Sequence, residues 1–245
     1  MKILAITQAR YGSTRLPAKI LKKVNGMTLL EIHLRRILQS KLISKLKVAT
    51  TNEEGAGYIV AVADKLGVEC YKGSVDDVLE RFYKAAEPEC PDYVVRLTSD
   101  CPLIDPAVID AVIQKCLESG CDYVSNVLEP TFPDGIDTEV FRFPALKRAY
   151  EEATLKSERE HVTPYLCRHF IKVETFRIHR NRFKLQSHSQ LTRSRKIRPK
   201  LFRKSIATPI SIHFIPHLYN GSRVYSYSFT RSGIYFSLYP CRIFP

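Results

Sequence analysis

Short apolar runs alternate with amphipathic segments along the first 175 residues of the chain. The first strand, residues 3–7, contains the uninterrupted apolar run 3–6, which is typical of a parallel strand buried on both faces, and residues 46–50 and 92–97 are two further predicted strands. The intervening segments repeat apolar residues at helical spacing. This alternation predicts an α/β protein, a three-layer α/β/α sandwich with a mostly parallel sheet.

Turn and capping residues set the expected bounds of the elements. Thr28 is a plausible N-cap, Asn25-Gly26 marks a turn, and Ser74 or Asp76 is the expected cap of the third helix. The predicted helices are 29–38, 53–66, 77–86, 106–118, 143–153 and 157–168, and the further strands are 68–71, 122–125 and 171–176.

The loop after the first strand, residues 8–19, has a composition suited to phosphate. Gly12 permits close backbone approach, hydroxyl side chains donate hydrogen bonds, and cations neutralise phosphoryl oxygens. The polar and charged members are Arg10, Ser13, Thr14, Arg15 and Lys19. The loop matches neither Gly-x-x-x-x-Gly-Lys-Ser/Thr nor Gly-x-Gly-x-x-Gly. A solvated basic loop is the alternative interpretation.

A carboxylate follows the central strand 92–97. Ligands of open α/β sheets lie beyond the carboxyl ends of the strands, so Asp100 is placed to hold Mg²⁺ against phosphate oxygens. The alternative is that Asp100 caps the following turn. For Asp105, which precedes a helix that begins with proline, we predict an N-cap and not a metal ligand.

The string from Gln8 to Lys19 closely resembles the opening motif of the cytidylyltransferases that make CMP-activated acidic sugars, nearest to the SpsF-like spore coat polysaccharide proteins. Further resemblance lies in Asp100-Cys-Pro-Leu and in residues 72–82, 133–141 and 157–165, and it ends near residue 175. The resemblance implies a nucleotide-diphospho-sugar transferase fold. It also implies transfer of CMP from CTP to an acidic sugar for surface or spore coat polysaccharide, with release of pyrophosphate.

The resemblance also assigns roles to residues. It implies Mg²⁺ on Asp100, a homodimer, and a triphosphate wrapped by the loop 10–19. The implied nucleotide-binding residues are Ala9, Arg10, Gly12, Ser13, Arg15, Lys19 and Gly73; the catalytic residues are Arg10, Lys19 and Asp100; and the substrate-side residues are Asp134, Asp137, Glu139 and His161.

The net charge of +13 is unevenly distributed. All 25 Asp and Glu lie at or before Glu174, whereas residues 175–245 carry 14 of the 38 Lys and Arg. We therefore expect a nucleotidyltransferase domain at 1–175 and a basic, acid-free tail at 176–245. Three interpretations of the tail compete: a nucleic-acid-binding extension, a membrane-surface segment, and a segment that is not the family's own C-terminus. We favour the third, for example through a shifted reading frame.

The missing acids bear on activity. The family's second metal carboxylate comes from a C-terminal acidic segment that has no counterpart here, so a CTP-binding remnant without turnover is an alternative, as is a basic-tail nucleic-acid binder. We expect a cytoplasmic protein without membrane association. The seven cysteines form no Cys-x-x-Cys, and the sequence shows neither an apolar run of membrane-spanning length nor a signal-peptide pattern.

Overall fold

The computed structural model describes residues 1–12, 16–129, 131–170, 173–177, 225–230 and 233–238. The chain divides into two units, Met1–Leu185 and Gln186–Pro245. The first unit contains the predicted domain. Most of the predicted tail lies outside the described residues, so its origin stays a prediction.

The first unit is built around a seven-stranded sheet. Its strands are β1 (Ile3–Gln8), β4 (Lys45–Thr51), β5 (Glu69–Gly73), β6 (Tyr93–Thr98), β7 (Tyr123–Ser125), β8 (Glu139–Arg142) and β9 (Val173–Thr175). They lie in the order β5-β4-β1-β6-β8-β7-β9. β8 runs antiparallel to its neighbours β6 and β7, and the other adjacent pairs are parallel. A two-stranded hairpin, β2 (Lys23–Val24) and β3 (Met27–Thr28), turns at the predicted Asn25-Gly26.

Helices cover both faces of the sheet. They are α1 (Leu29–Ile37), α2 (Ala56–Asp64), α3 (Val78–Ala86), α4 (Pro106–Ser119), α5 (Phe143–Glu152), α6 (Lys156–His161) and α7 (Pro164–His169). Alternate residues of β1 serve the two cores: Ile3 and Ala5 pack with α1, α2 and α4, and Leu4 and Ile6 pack with α3, α5 and α7. The three-layer sandwich predicted from the sequence is therefore confirmed.

The second unit contains one described hairpin. β10 (Tyr225–Thr230) and β11 (Gly233–Leu238) pair antiparallel, with Tyr225 opposite Leu238. Among the described residues, no helix is both long enough and apolar enough to cross a membrane.

Two capping predictions are confirmed and one is wrong. The Thr28 hydroxyl accepts a hydrogen bond from the Glu31 amide at 3.0 Å, and the Asp105 carboxylate accepts one from the Ala107 amide at 2.8 Å. The third helix is capped by Asp77, which accepts from the Glu80 amide at 2.9 Å, and not by Ser74 or Asp76.

The helix predicted over 157–168 is in fact two helices. α6 ends at His161, Val162 has a positive φ of 69°, and α7 begins with Pro164 at its first position. Proline lacks the amide that an interior helical position needs and restricts the residue before it, so the chain breaks there and restarts. The strand β8 was missed because only four residues form it, directly after a polar segment.

A buried histidine connects α1 to the loop that carries Asp100. His33 Nδ1 donates to the Cys101 carbonyl at 2.8 Å, and its Nε2, 2.9 Å from the Thr7 hydroxyl, accepts from it in the neutral ring. Burial lowers the pKa of His33 to about 4. The ring therefore stays neutral near pH 7 and fixes the Asp100–Cys101 turn against β1.

We expect folding stability to fall as the pH falls from about 6.5 to about 4. The unfolded chain binds a proton at His33 below about pH 6.5, whereas the folded chain binds it only near pH 4, which costs about 3 kcal/mol across the window. NMR titration of the His33 ring measures its pKa directly. A His33 midpoint near 6.5, the ordinary value for histidine, would contradict the prediction.

Candidate functional site

The ends of neighbouring parallel strands bring Ala9 and Gly73, two of the predicted nucleotide-binding residues, to one edge of the sheet. Ala9 follows β1 and donates its amide to the Ala49 carbonyl at 3.1 Å. Gly73 ends β5 and accepts from the Asn52 amide at 3.2 Å. The Ser99 amide donates to the Gln8 carbonyl at 3.3 Å, which joins the loop of Asp100 to the start of the predicted phosphate loop.

Lys19 and Asp100 form an ion pair at this edge. Lys19 Nζ lies 3.1 Å from Asp100 Oδ2, and both side chains are partly exposed. Desolvation raises the pKa of the Asp100 carboxyl, but the ion pair with Lys19 and a hydrogen bond with Thr98 outweigh it and hold the pKa below its usual value. A predicted phosphate ligand and a predicted metal ligand, 81 residues apart in sequence, therefore lie in direct contact.

The phosphate loop is described at its two ends. Arg10 is exposed to solvent, and Gly12 lies so close to Glu53 that an added Cβ would stand 2.6 Å from Glu53 Oε1. The predicted ligands Ser13 and Arg15 lie outside the described residues. Because Gly12 has no side chain, its loop can lie close to the loop that carries Glu53.

A small cavity opens beside this edge, on the side of β6 and β8. Its volume is about 80 Å³, and its lining consists of Arg96, Thr98, Val127, Asp137 and Glu139. Two of the predicted substrate-side residues line it.

Glu139 is buried and holds the cavity wall together. Its carboxylate forms an ion pair with Arg96 of β6 and accepts hydrogen bonds from the Tyr123 hydroxyl at 2.8 Å and the Thr163 hydroxyl at 3.0 Å. These partners come from β6, β7 and the junction of α6 with α7. The carboxylate is fully engaged, so Glu139 shapes the cavity and orients Arg96.

Asp137 differs from Glu139 because, among the described residues, no hydrogen bond or ion pair holds its carboxylate. Burial raises its pKa above the usual value, and the negative charges of Asp134, Glu139 and Asp100 raise it further. Asp134 is exposed at the start of the same segment. Asp137 is therefore the cavity's available hydrogen-bond acceptor.

His161 is exposed at the end of α6, whereas its neighbours in the 157–165 motif make structural contacts. Arg159 contacts the α3 cap Asp77 through Nε at 2.9 Å and through Nη2, and donates Nη1 to the Tyr150 carbonyl at 2.8 Å. Glu158 is buried and pairs with Arg168 at 3.0 Å. The contact between Arg159 and Asp77 therefore anchors α6 to α3.

Metal-binding capacity at the edge is limited. In the described part of the chain, no three His, Cys, Asp or Glu side chains come together in a group that could hold a metal ion. Asp100 offers one carboxylate, and a single carboxylate holds Mg²⁺ only with oxygens from the substrate. The residues thus fit Mg²⁺ brought in with phosphates and do not form a complete site of their own.

Comparison with known proteins identifies the family. The family model described as Cytidylyltransferase matches residues 4–228. The chain belongs to the cytidylyltransferase family. It is therefore a nucleotidyltransferase, as its opening motif led us to expect.

Individual relatives agree with this assignment. The spore coat polysaccharide biosynthesis protein SpsF of Bacillus subtilis is 37% identical over 172 residues, covering 68% of this chain and 70% of its own. A 3-deoxy-manno-octulosonate cytidylyltransferase of Geotalea daltonii is 36% identical over 120 residues, about half of each chain at 48% and 46%.

A solved structure shows the same architecture. The cytidylyltransferase of Leptospira borgpetersenii superposes with a TM-score of 0.69 at 34% sequence identity, covering 73% of this chain and 76% of that one. The nucleotidyl-transferase type of fold expected for the family is confirmed.

Arg96 and Arg81 are charged residues of the edge that the predicted site did not include. Arg96 lines the cavity, and Arg81 lies buried beneath Gly73. A signal existed for Arg96, because a charged residue inside an apolar strand requires a buried partner. The partner Glu139 is 43 residues away, however, and nothing local identifies it.

We expect Glu139→Gln to lower the free energy of unfolding by about 3 kcal/mol, because it leaves the largely buried Arg96 guanidinium without its counter-charge. Urea unfolding measures the change. Glu160→Gln, an exposed site on α6 with the same loss of charge, is the control and should change little. Equal stability of the two variants would show that the ion pair does not stabilise the sheet.

Proposed function

We propose that this protein transfers CMP from CTP to a hydroxyl group of an acidic sugar and releases pyrophosphate. The observation that supports this most is the contact between Lys19 and Asp100. It joins a residue proposed to bind phosphate to the residue proposed to bind Mg²⁺, and Thr98, two residues before Asp100, lines the cavity of Arg96.

The residues of the loop supply charge and position. Arg10 and Lys19 would bind the β- and γ-phosphates and neutralise the pyrophosphate as it leaves. Triphosphate binding would draw Lys19 away from Asp100 and free that carboxylate. Asp100 would then hold Mg²⁺ together with phosphate oxygens, and the ion would stabilise negative charge on the phosphoryl groups.

The acceptor would lie in the cavity beside Asp100. Asp137 is placed to accept a hydrogen bond from a sugar hydroxyl, and Arg96 provides the cation of the lining. The relative from Geotalea daltonii carries the name of a 3-deoxy-manno-octulosonate cytidylyltransferase, which makes this sugar acid the first acceptor to test. We also propose a cytoplasmic homodimer, following the family resemblance.

The second candidate is a CTP-binding protein without turnover. It is favoured by the absence of any Asp or Glu in residues 175–245, which therefore cannot supply a second metal carboxylate. Because these acids are missing, we propose that 176–245 differs from the family's own C-terminal segment. Sequencing the locus for a shifted reading frame tests this proposal.

Nucleic-acid binding through the basic tail is the remaining alternative, and it would appear as an affinity for RNA that falls as the salt concentration rises.

Pyrophosphate release should require CTP, Mg²⁺ and a sugar acid, with 3-deoxy-manno-octulosonate tested first. Asp100→Asn should lower kcat about 100-fold or more, because it removes a charge that acts on the reacting phosphate, while CTP still raises the melting temperature. Asp105→Asn is a matched control, since Asn caps a helix as well as Asp does.

The outcomes separate the candidates. A CTP-dependent rise in melting temperature with no pyrophosphate from any sugar acid would favour the protein without turnover. If CTP changes neither melting temperature nor pyrophosphate release, the proposed function is wrong.

A further inference from the structure

Arg81 of α3 is a buried cation beside the proposed nucleotide site. It is only 3% exposed. Its stem packs under the end of β5, where a Cβ on Gly73 would lie 3.2 Å from Arg81 Cγ. Its Nη1 donates to the Ser74 carbonyl at 2.5 Å. The guanidinium is thereby held at the carboxyl edge of the sheet.

The guanidinium has no counter-charge of its own. No carboxylate of the described residues forms an ion pair with Arg81, and its buried Nε has no hydrogen-bond partner. Asp77 is engaged by Arg159 and by the amide of Glu80. A buried, unpaired charge is strongly unfavourable, so a site of this kind is suited to an anionic ligand.

Positive and negative charges from two loops lie close to this guanidinium. Burial lowers the pKa of Arg81, the nearby positive charge of Arg10 lowers it further, and the negative charges of Glu53 and Asp77 oppose both. Arg10 belongs to the phosphate loop, and Glu53 follows β4. Arg81, held at Gly73 and Ser74, therefore lies near the loop proposed to hold the triphosphate.

A carboxylate already occupies part of that space. Glu53 Oε2 accepts from the Thr51 hydroxyl at 2.7 Å, and its Oε1 is directed at Gly12, 2.6 Å from where a Cβ would lie. An acidic side chain is thus held against the backbone of a phosphate-binding loop. A phosphate group entering there would be repelled by Glu53 and attracted by Arg81.

We propose that Arg81 binds the triphosphate of the nucleotide, and that Glu53 occupies part of the same anion site until the nucleotide displaces it. This inference rests on the proposed CTP-binding function and adds a residue and a competing group to it. It requires opposite effects on affinity from two neighbouring side chains: loss of the Arg81 charge weakens nucleotide binding, and loss of the Glu53 charge strengthens it.

Isothermal titration calorimetry with CTP and with inorganic tripolyphosphate, both with Mg²⁺, tests this. Arg81→Gln should weaken binding of both ligands at least about tenfold, and Arg81→Lys should weaken it less. Glu53→Gln should tighten binding of both ligands about threefold or more. Glu54→Gln and Arg148→Lys, both at exposed positions, are the matched controls and should leave affinity unchanged.

Comparison of CTP with tripolyphosphate shows which part of the nucleotide Glu53 acts on. If Glu53→Gln weakens CTP binding and leaves tripolyphosphate unchanged, Glu53 contacts the cytidine moiety and the proposal is overturned. Unchanged affinity in the variants, with CTP bound by the wild type, would overturn this inference alone. Failure of the wild type to bind CTP would remove the proposed function as well. Should Arg81→Gln fail to fold in a thermal melt, the Arg81→Lys and Glu53→Gln measurements decide the matter.

Discussion

The ion pair between Arg96 and Glu139 is the interaction on which this site depends. Arg96 lies on the parallel part of the sheet, and Glu139 begins the antiparallel strand β8. Tyr123 and Thr163 donate to the same carboxylate, so one buried acidic group joins β6, β7, β8 and the α6–α7 junction. A charge buried in this way is tolerated only when it is paired and its oxygens are satisfied, and the network therefore has little freedom to rearrange.

Charge compensation explains much of the surrounding edge. Lys19 balances Asp100, and Arg159 balances Asp77. Arg81 is buried and Asp137 partly buried, and neither has an ion-pair partner among the described residues. One is a buried cation beside the phosphate loop and the other a carboxylate in the cavity. Groups of this kind are expected where a ligand completes the charge balance.

Local sequence features predicted a large part of the fold. The alternation of apolar runs and helical spacing identified the strands around β1, and the caps at Thr28 and Asp105 were confirmed. Errors arose where the decisive interaction was not local. β8 is only four residues long and depends on pairing with β6 and β7. The helical spacing of 157–168 predicts one helix, but Pro164 begins a second helix, and the break lies at Val162.

The sequence by itself determined the family and the layered α/β architecture, because these follow from residue order, periodicity and a contiguous motif. Only the tertiary structure decided which charges meet. It brought Lys19 to Asp100, Arg159 to Asp77 and Glu139 to Arg96 across separations of 81, 82 and 43 residues. It also left Arg81 buried without an ion-pair partner among the described residues. Pairing of this kind depends on burial and on distances between distant segments, which no local pattern contains.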